Sequence, residues 1–150
     1  MAKPRLLALA SGGGHWIQLL RLRPAFDGFE TSYVSMFESY APMVEGARFY
    51  TVPDASRFDI KSFAPVFLKA AKIIAKERPK VIVTTGSAPM LSFILLGRLI
   101  GAKTLWIDSI ANSERMSSSG RLARKLAHKV ISQWPDVAAN EGVESWGRVI

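Results

Sequence analysis

The residues best suited to chemistry fall in three short segments rich in small and hydroxyl side chains. In the first, Ser11-Gly12-Gly13-Gly14-His15, an imidazole directly follows consecutive glycines. Glycines permit positive φ and close approach of a ligand, and N–H groups at a helix start can cradle an anion such as phosphate. The spacing is neither the dinucleotide fingerprint nor a Walker A loop, and a turn that merely lets helix and strand pack reads the same way. His15 could act as general base on a hydroxyl, bond a charged oxygen, or only cap its helix. In the second segment, Thr84-Thr85-Gly86-Ser87-Ala88-Pro89, the residues Thr85, Gly86 and Ser87 offer hydroxyls and free N–H groups that suit a sugar or phosphate. The third begins at Asp108 and Ser109 and runs to Arg115. Asp108 could orient a substrate hydroxyl, orient His15, or bond neighbouring backbone N–H groups.

The intervening pattern says what must position these segments. Short apolar runs of strand length occur at 6–10, 31–37, 48–52, 81–84, 104–107 and 129–132, and Arg148-Val149-Ile150 suggests the start of another. Helical patterns lie between them. One covers His15 to Leu22, with Trp16, Leu19 and Leu20 on one face. The clearest runs from Asp59 to Glu77, with an apolar stripe at Ile60, Phe63, Ala64, Phe67, Leu68, Ala71, Ile74 and Ala75. Pro65 places its regular part from about Ser62, leaving the proline in the first turn. A third, Pro89 to Ile100, is apolar nearly all round and stops at Gly101, so it is either deeply packed or touches something apolar outside. Gly120 to His128 reads as a short basic helix. Alternating strands and helices imply an open, parallel, Rossmann-like sheet with helices on both faces, folded as a single domain over 1–150. Such sheets bind ligands beyond the carboxyl ends of their strands, where the three segments fall.

Composition excludes several classes. With 150 residues, 49% hydrophobic and 21% charged, the chain is globular. It has no cysteine, which removes disulfides, cysteinyl metal centres and thiol catalysis, and its two histidines make no metal site. No nucleophilic triad or glycosidase-like carboxylate pair can be assembled, and the motifs of nucleic-acid binding are missing. The net charge of +8 would attract nucleic acid, an anionic membrane or a phosphorylated substrate, or serve only solubility. Arg115, Arg121, Arg124, Lys125 and Lys129 follow one another without an acid between them, as a basic stripe or a solvated face. No signal peptide or membrane-spanning run is read, so the expected location is cytoplasmic, with peripheral membrane contact.

These segments together resemble the PssD/CpsF-like polysaccharide biosynthesis proteins, bacterial relatives of the acceptor-side subunit of the eukaryotic N-acetylglucosaminyltransferase of lipid-linked oligosaccharide assembly. Ser11 to His15 is similar to that family's Ser-Ser-Gly-Gly-His, and Thr84 to Pro89 to its Thr-Thr-Gly-Ala-x-Pro. Leu105 to Glu114 is similar to its Tyr-Ile-Glu/Asp-Ser-Phe-Ala-Arg-Val-Glu, with Asn112 where arginine is frequent. Ile131-Ser132-Gln133-Trp134-Pro135 resembles its Val-Gln-Trp-Pro stretch.

The resemblance implies the N-terminal half of a GT-B glycosyltransferase, active only with a second, donor-binding subunit of the PssE type. This half would hold a lipid-linked acceptor at the cytoplasmic face of the inner membrane, in exopolysaccharide or capsule synthesis. His15 is then the candidate base, with Gly12, Gly13, Gly14, Thr85, Gly86, Ser87, Asp108 and Ser109 on the acceptor. Neither metal nor cofactor is implied. Two other classes compete: a stand-alone nucleotide- or dinucleotide-binding protein, and a non-catalytic membrane scaffold for the donor subunit.

Overall fold

The computed structural model describes residues 2–55 and 59–149. The chain runs β1 (Arg5–Leu9), α1 (Gly14–Arg21), β2 (Glu30–Ser35), β3 (Phe49–Thr51), α2 (Phe63–Glu77), β4 (Val81–Thr84), α3 (Leu91–Leu99), β5 (Lys103–Ile107), α4 (Ser118–Ala123), β6 (Lys129–Ile131) and α5 (Pro135–Glu141). The strands form one six-stranded sheet in the order β3-β2-β1-β4-β5-β6, and every pairing is parallel. The strand order reverses between β1 and β4. That switch point opens a crevice at their carboxyl ends.

Side chains alternate across the sheet as a pleat requires. Leu7 and Leu9 of β1, Ile82 of β4, Trp106 of β5 and Val130 of β6 meet residues of α2, α3, α4 and α5 on one face. Leu6, Ala8, Val83, Ile107 and Ile131 form the opposite cluster with Trp16 and Leu19 of α1. The expected open parallel sheet with helices on both faces is therefore present. The final stretch differs, because Arg148 and Val149 form no strand and Ile150 lies outside the described residues. Instead, an isolated parallel bridge joins Ile131 to Glu144 beyond β6.

Two helices qualify the apolar patterns. In α2, Pro65 does sit in the first turn, but the core face is Val66, Ala70, Ile73 and Ile74. Most of the stripe read from the sequence points the other way: Ile60 is 84% exposed, Leu68 is 67% exposed, and Phe63 and Phe67 are half-buried. The helix has two apolar faces, and periodicity alone cannot say which one meets the sheet. In α3, Leu91, Phe93 and Ile94 are deeply packed, whereas Leu99 and Ile100 after them stay in solvent.

The amino end of the sheet is held by a buried carboxylate. Glu77, at the last turn of α2, is 2% exposed and accepts hydrogen bonds from Arg48, Ser32 and Tyr50. Burial alone would raise its pKa, but those bonds outweigh it and bring the group down to about 2. Arg5 of β1 adds a bond to the Glu77 carbonyl, so α2, β1, β2 and β3 converge there.

Candidate functional site

At the carboxyl end, the loops after β1 and β4 are tied together. Ser11 N–H donates to the Gly86 carbonyl at 3.0 Å, and Thr85 Oγ1 donates to the His15 carbonyl at 2.6 Å. In return His15 Nδ1 lies 2.8 Å from the Thr85 carbonyl oxygen. A carbonyl can only accept, so Nδ1 carries the proton and the neutral ring keeps its lone pair on Nε2. Gly86 makes this closeness possible. It sits at φ +111°, and a Cβ there would lie 2.8 Å from His15 Nδ1.

The glycine loop is braced from the other side by aromatic rings. Trp16, next to His15, stacks on Tyr40 with centroids 5.0 Å apart and meets Tyr33 and Phe49 edge-on. The Tyr40 hydroxyl accepts the Gly13 N–H at 3.0 Å, so that amide of the supposed anion cradle is already engaged. Gly86 N–H is likewise engaged, by Thr84 Oγ1 at 3.1 Å.

His15, Thr85, Gly86, Ser87, Asp108 and Ser109 all line one cleft of about 190 Å³, together with Trp106, Asn112, Ser117 and Ser119. Gly12, Gly13 and Gly14 precede the imidazole but do not form its wall. The three segments picked from the sequence thus converge, with the glycines contributing at the margin.

Within the cleft, the groups differ in what they leave free. Asp108 is 2% exposed, and its Oδ1 accepts from Trp106 Nε1 and Ser117 Oγ. Its Oδ2 accepts from Asn112 Nδ2 and the Ser117 N–H. These donors fill the lone-pair sites of a carboxylate, so Asp108 shapes the loop after β5. Asn112, where arginine was the family expectation, is spent on this contact. Gly120 is needed beside it, since a Cβ would fall 2.5 Å from Asp108 Oδ1. Ser109 Oγ accepts from Gln18 and from the Ala111 N–H, leaving its own proton to donate. Ser87 and Ser119 have no side-chain hydrogen bond among the described residues.

Several supporting contacts escaped the sequence reading, although Gln133 and Trp134 stand in the stretch that resembles the family's Val-Gln-Trp-Pro. Gln18 of α1 is buried, and its Oε1 accepts from the Ile110 N–H and from Gln133 Nε2, which also reaches the Asp108 carbonyl. Trp134 donates to the Ile110 carbonyl at 2.6 Å, and Arg148 lies over its ring. Glu141 accepts from the Met116 N–H and pairs with Arg121, and these bonds lower its pKa. Only a buried polar residue beside an apolar helix face (Gln18) hinted at this network, because its partners lie far along the chain.

The basic stripe is broken up, since Arg121 pairs with Glu141 and Lys129 with Glu144. His128 is exposed and bonded to Thr104, away from the cleft. Among the described residues, no helix is long and apolar enough to cross a membrane.

Known proteins share the fold and the family of this chain. The model of the family described as "Oligosaccharide biosynthesis protein Alg14 like" matches residues 29–149, which include the loops after β4 and β5. The UDP-N-acetylglucosamine transferase subunit ALG14 of Yarrowia lipolytica is 23% identical over 166 residues, covering 91% of this chain and 76% of that protein. Among solved structures, MurG of Acinetobacter baumannii is similar with a TM-score of 0.73 at 14% identity, covering 89% of this chain and 42% of that one. A putative UDP-N-acetylglucosamine 2-epimerase from Listeria monocytogenes gives 0.72 at 14% identity, covering 94% and 42%. The chain therefore spans less than half of each solved chain, and its fold is that of the N-terminal half of a GT-B glycosyltransferase. A match over most of its length, on a sheet of this topology, places the chain in the Alg14-like family of oligosaccharide biosynthesis proteins.

Proposed function

We propose that this chain is the acceptor-binding, membrane-associating subunit of a two-component inverting glycosyltransferase, as in PssD/CpsF-like proteins. Its partner is a donor-binding subunit of the PssE type, and the reaction passes a sugar from a UDP-sugar to a lipid-linked acceptor at the cytoplasmic face of the inner membrane. Exopolysaccharide or capsule synthesis is the setting. The name of the Yarrowia lipolytica relative, a transferase subunit for UDP-N-acetylglucosamine, supports a nucleotide-sugar donor and a division of labour between chains.

The observation that carries this reading is the His15 ring, whose Nδ1 proton is committed to the Thr85 carbonyl and whose Nε2 is left to accept. An acceptor hydroxyl in the cleft gives its proton to Nε2 while its oxygen forms a bond to the anomeric carbon of the donor. The bond from that carbon to the diphosphate breaks, and UDP leaves with the electron pair, inverting the centre. Thr85, Gly86, Ser87 and Ser109 position the acceptor sugar or its pyrophosphate, and Asp108 acts by holding their surroundings. Gly12, Gly13 and Gly14 approach the acceptor from the rim.

The test is sugar transfer by the reconstituted pair. Replacing His15 by Ala is expected to lower turnover about a hundredfold or more without loss of complex formation. Wild-type turnover would remove His15 from the chemistry. Calorimetry of the lone chain is expected to show little affinity for NAD or UDP-sugars, and tight binding of either would favour a stand-alone nucleotide-binding role.

A further inference from the structure

A second cavity adjoins the cleft. It is a groove of about 660 Å³ between α2, α3 and α4, walled by Phe63, Ala64, Phe67, Leu95, Leu122 and Leu126. Pockets of this size bury most of a small ligand's surface. Ser119 lines both cavities, so the polar cleft passes into the apolar groove across one residue of α4. The outward apolar face of α2 forms one wall of the groove, which accounts for the stripe that meets no core.

We infer that the groove holds the hydrocarbon chain of a lipid whose anionic head enters the cleft. The inference deepens the proposed function and rests on it, by naming where the acceptor's lipid lies. Three features favour an amphiphile over an apolar helix of a partner. First, the groove continues into a polar cleft, which matches a molecule with a polar head and an apolar tail. Second, Ser92 Oγ, at the groove wall, is fully buried and has no hydrogen-bond partner among the described residues. A buried hydroxyl left unpaired is costly, and it puts a polar atom in a wall that a wholly apolar partner helix would leave unsatisfied. Third, Lys61 and Lys125, which adjoin groove residues in the chain, are exposed and make no ion pair among the described residues. They supply positive charge beside an apolar surface, as an anionic lipid requires.

The probe is farnesyl diphosphate carrying a benzophenone at its chain terminus, irradiated with the purified chain and mapped by peptide mass spectrometry. Labelling is expected within 60–67, 91–95 or 118–126, and excess unlabelled farnesyl diphosphate is expected to suppress it. Ala64→Trp fills the groove from an exposed position, so the fold is expected to survive, as circular dichroism checks. It should weaken labelling about tenfold or more. Phe67→Gln is the second variant and should act in the same direction. Labelling elsewhere, or unchanged labelling in both variants, would overturn the inference. So would unchanged labelling together with lost binding to anionic phospholipid vesicles, which would make the groove a bilayer-facing surface. If His15→Ala kept full transfer in the reconstituted pair while the wild-type chain was labelled in the groove, the catalytic reading would fail and the lipid groove would stand.

Discussion

Asp108 and Glu77 are both buried carboxylates, each 2% exposed, at opposite ends of the same sheet. Glu77 is met by a guanidinium as well as hydroxyls, and it joins three strands to a helix. Among the described residues, Asp108 is met only by neutral donors, all within the loop after β5 or the strand leading to it. One carboxylate carries a charge pair and fixes the fold. The other organises a local wall beside an open cleft. Burial and saturation therefore do not by themselves mark a functional acid, and what lies next to the group decides its use.

Substitution should separate these two roles. The largest effect on stability is expected from Glu77→Ala, which strips Arg48, Ser32 and Tyr50 of their common partner. A loss of about 3 kcal/mol in chemical unfolding is expected, near the low end for breaking a buried pair because Arg48 is partly in solvent. Transfer per folded molecule should be unchanged. The same contact sets an acid limit. The folded pKa of about 2 lies below the ordinary 4.5, so the contribution of Glu77 is full above pH 4.5 and is lost as pH falls toward 2. Unfolding measured across that window should show about 2–3 kcal/mol of lost stability, absent in Glu77→Ala.

Asp108→Asn should cost about 2 kcal/mol, since its amide would face donors from Asn112 and Ser117. Unlike the Glu77 variant, it should also lower transfer, read in the reconstituted pair. Gly86→Ala is expected to strain the backbone by about 1–2 kcal/mol and to push the imidazole aside, so its turnover should fall toward that of His15→Ala. The smallest effect is that of Ser92→Ala. Deleting a hydroxyl without a partner should leave the empty protein as stable or raise its melting temperature slightly.

Much of this was legible in the sequence because short β-branched and apolar runs can only be strands between glycine-bounded turns. β4 falls on the predicted residues, and the loops after β1, β4 and β5 meet at a cleft as the parallel topology demands. The α2 stripe was legible as a pattern but not as a direction. Ile60, Phe63 and Phe67 have the spacing of a core face, and so do Val66, Ala70 and Ile73. Only the path of the chain around the sheet chooses between them. The pairings of Gln18, Gln133 and Glu77 were illegible for a different reason: a polar residue is buried because of partners that come from distant segments, and single-sequence spacing carries no record of them. Asn112 shows the reverse case, a departure from the expected arginine that takes meaning only beside Asp108.

The outermost strands, β3 and β6, each have three residues, and β6 is already flanked by the bridge from Ile131 to Glu144. Edges this short, one of them already flanked, give another polypeptide little backbone on which to add a strand. Association with the companion subunit proposed above would therefore fall to side chains on loops and helices, where affinity can be tuned by substitution without disturbing the hydrogen-bonded ladder beneath.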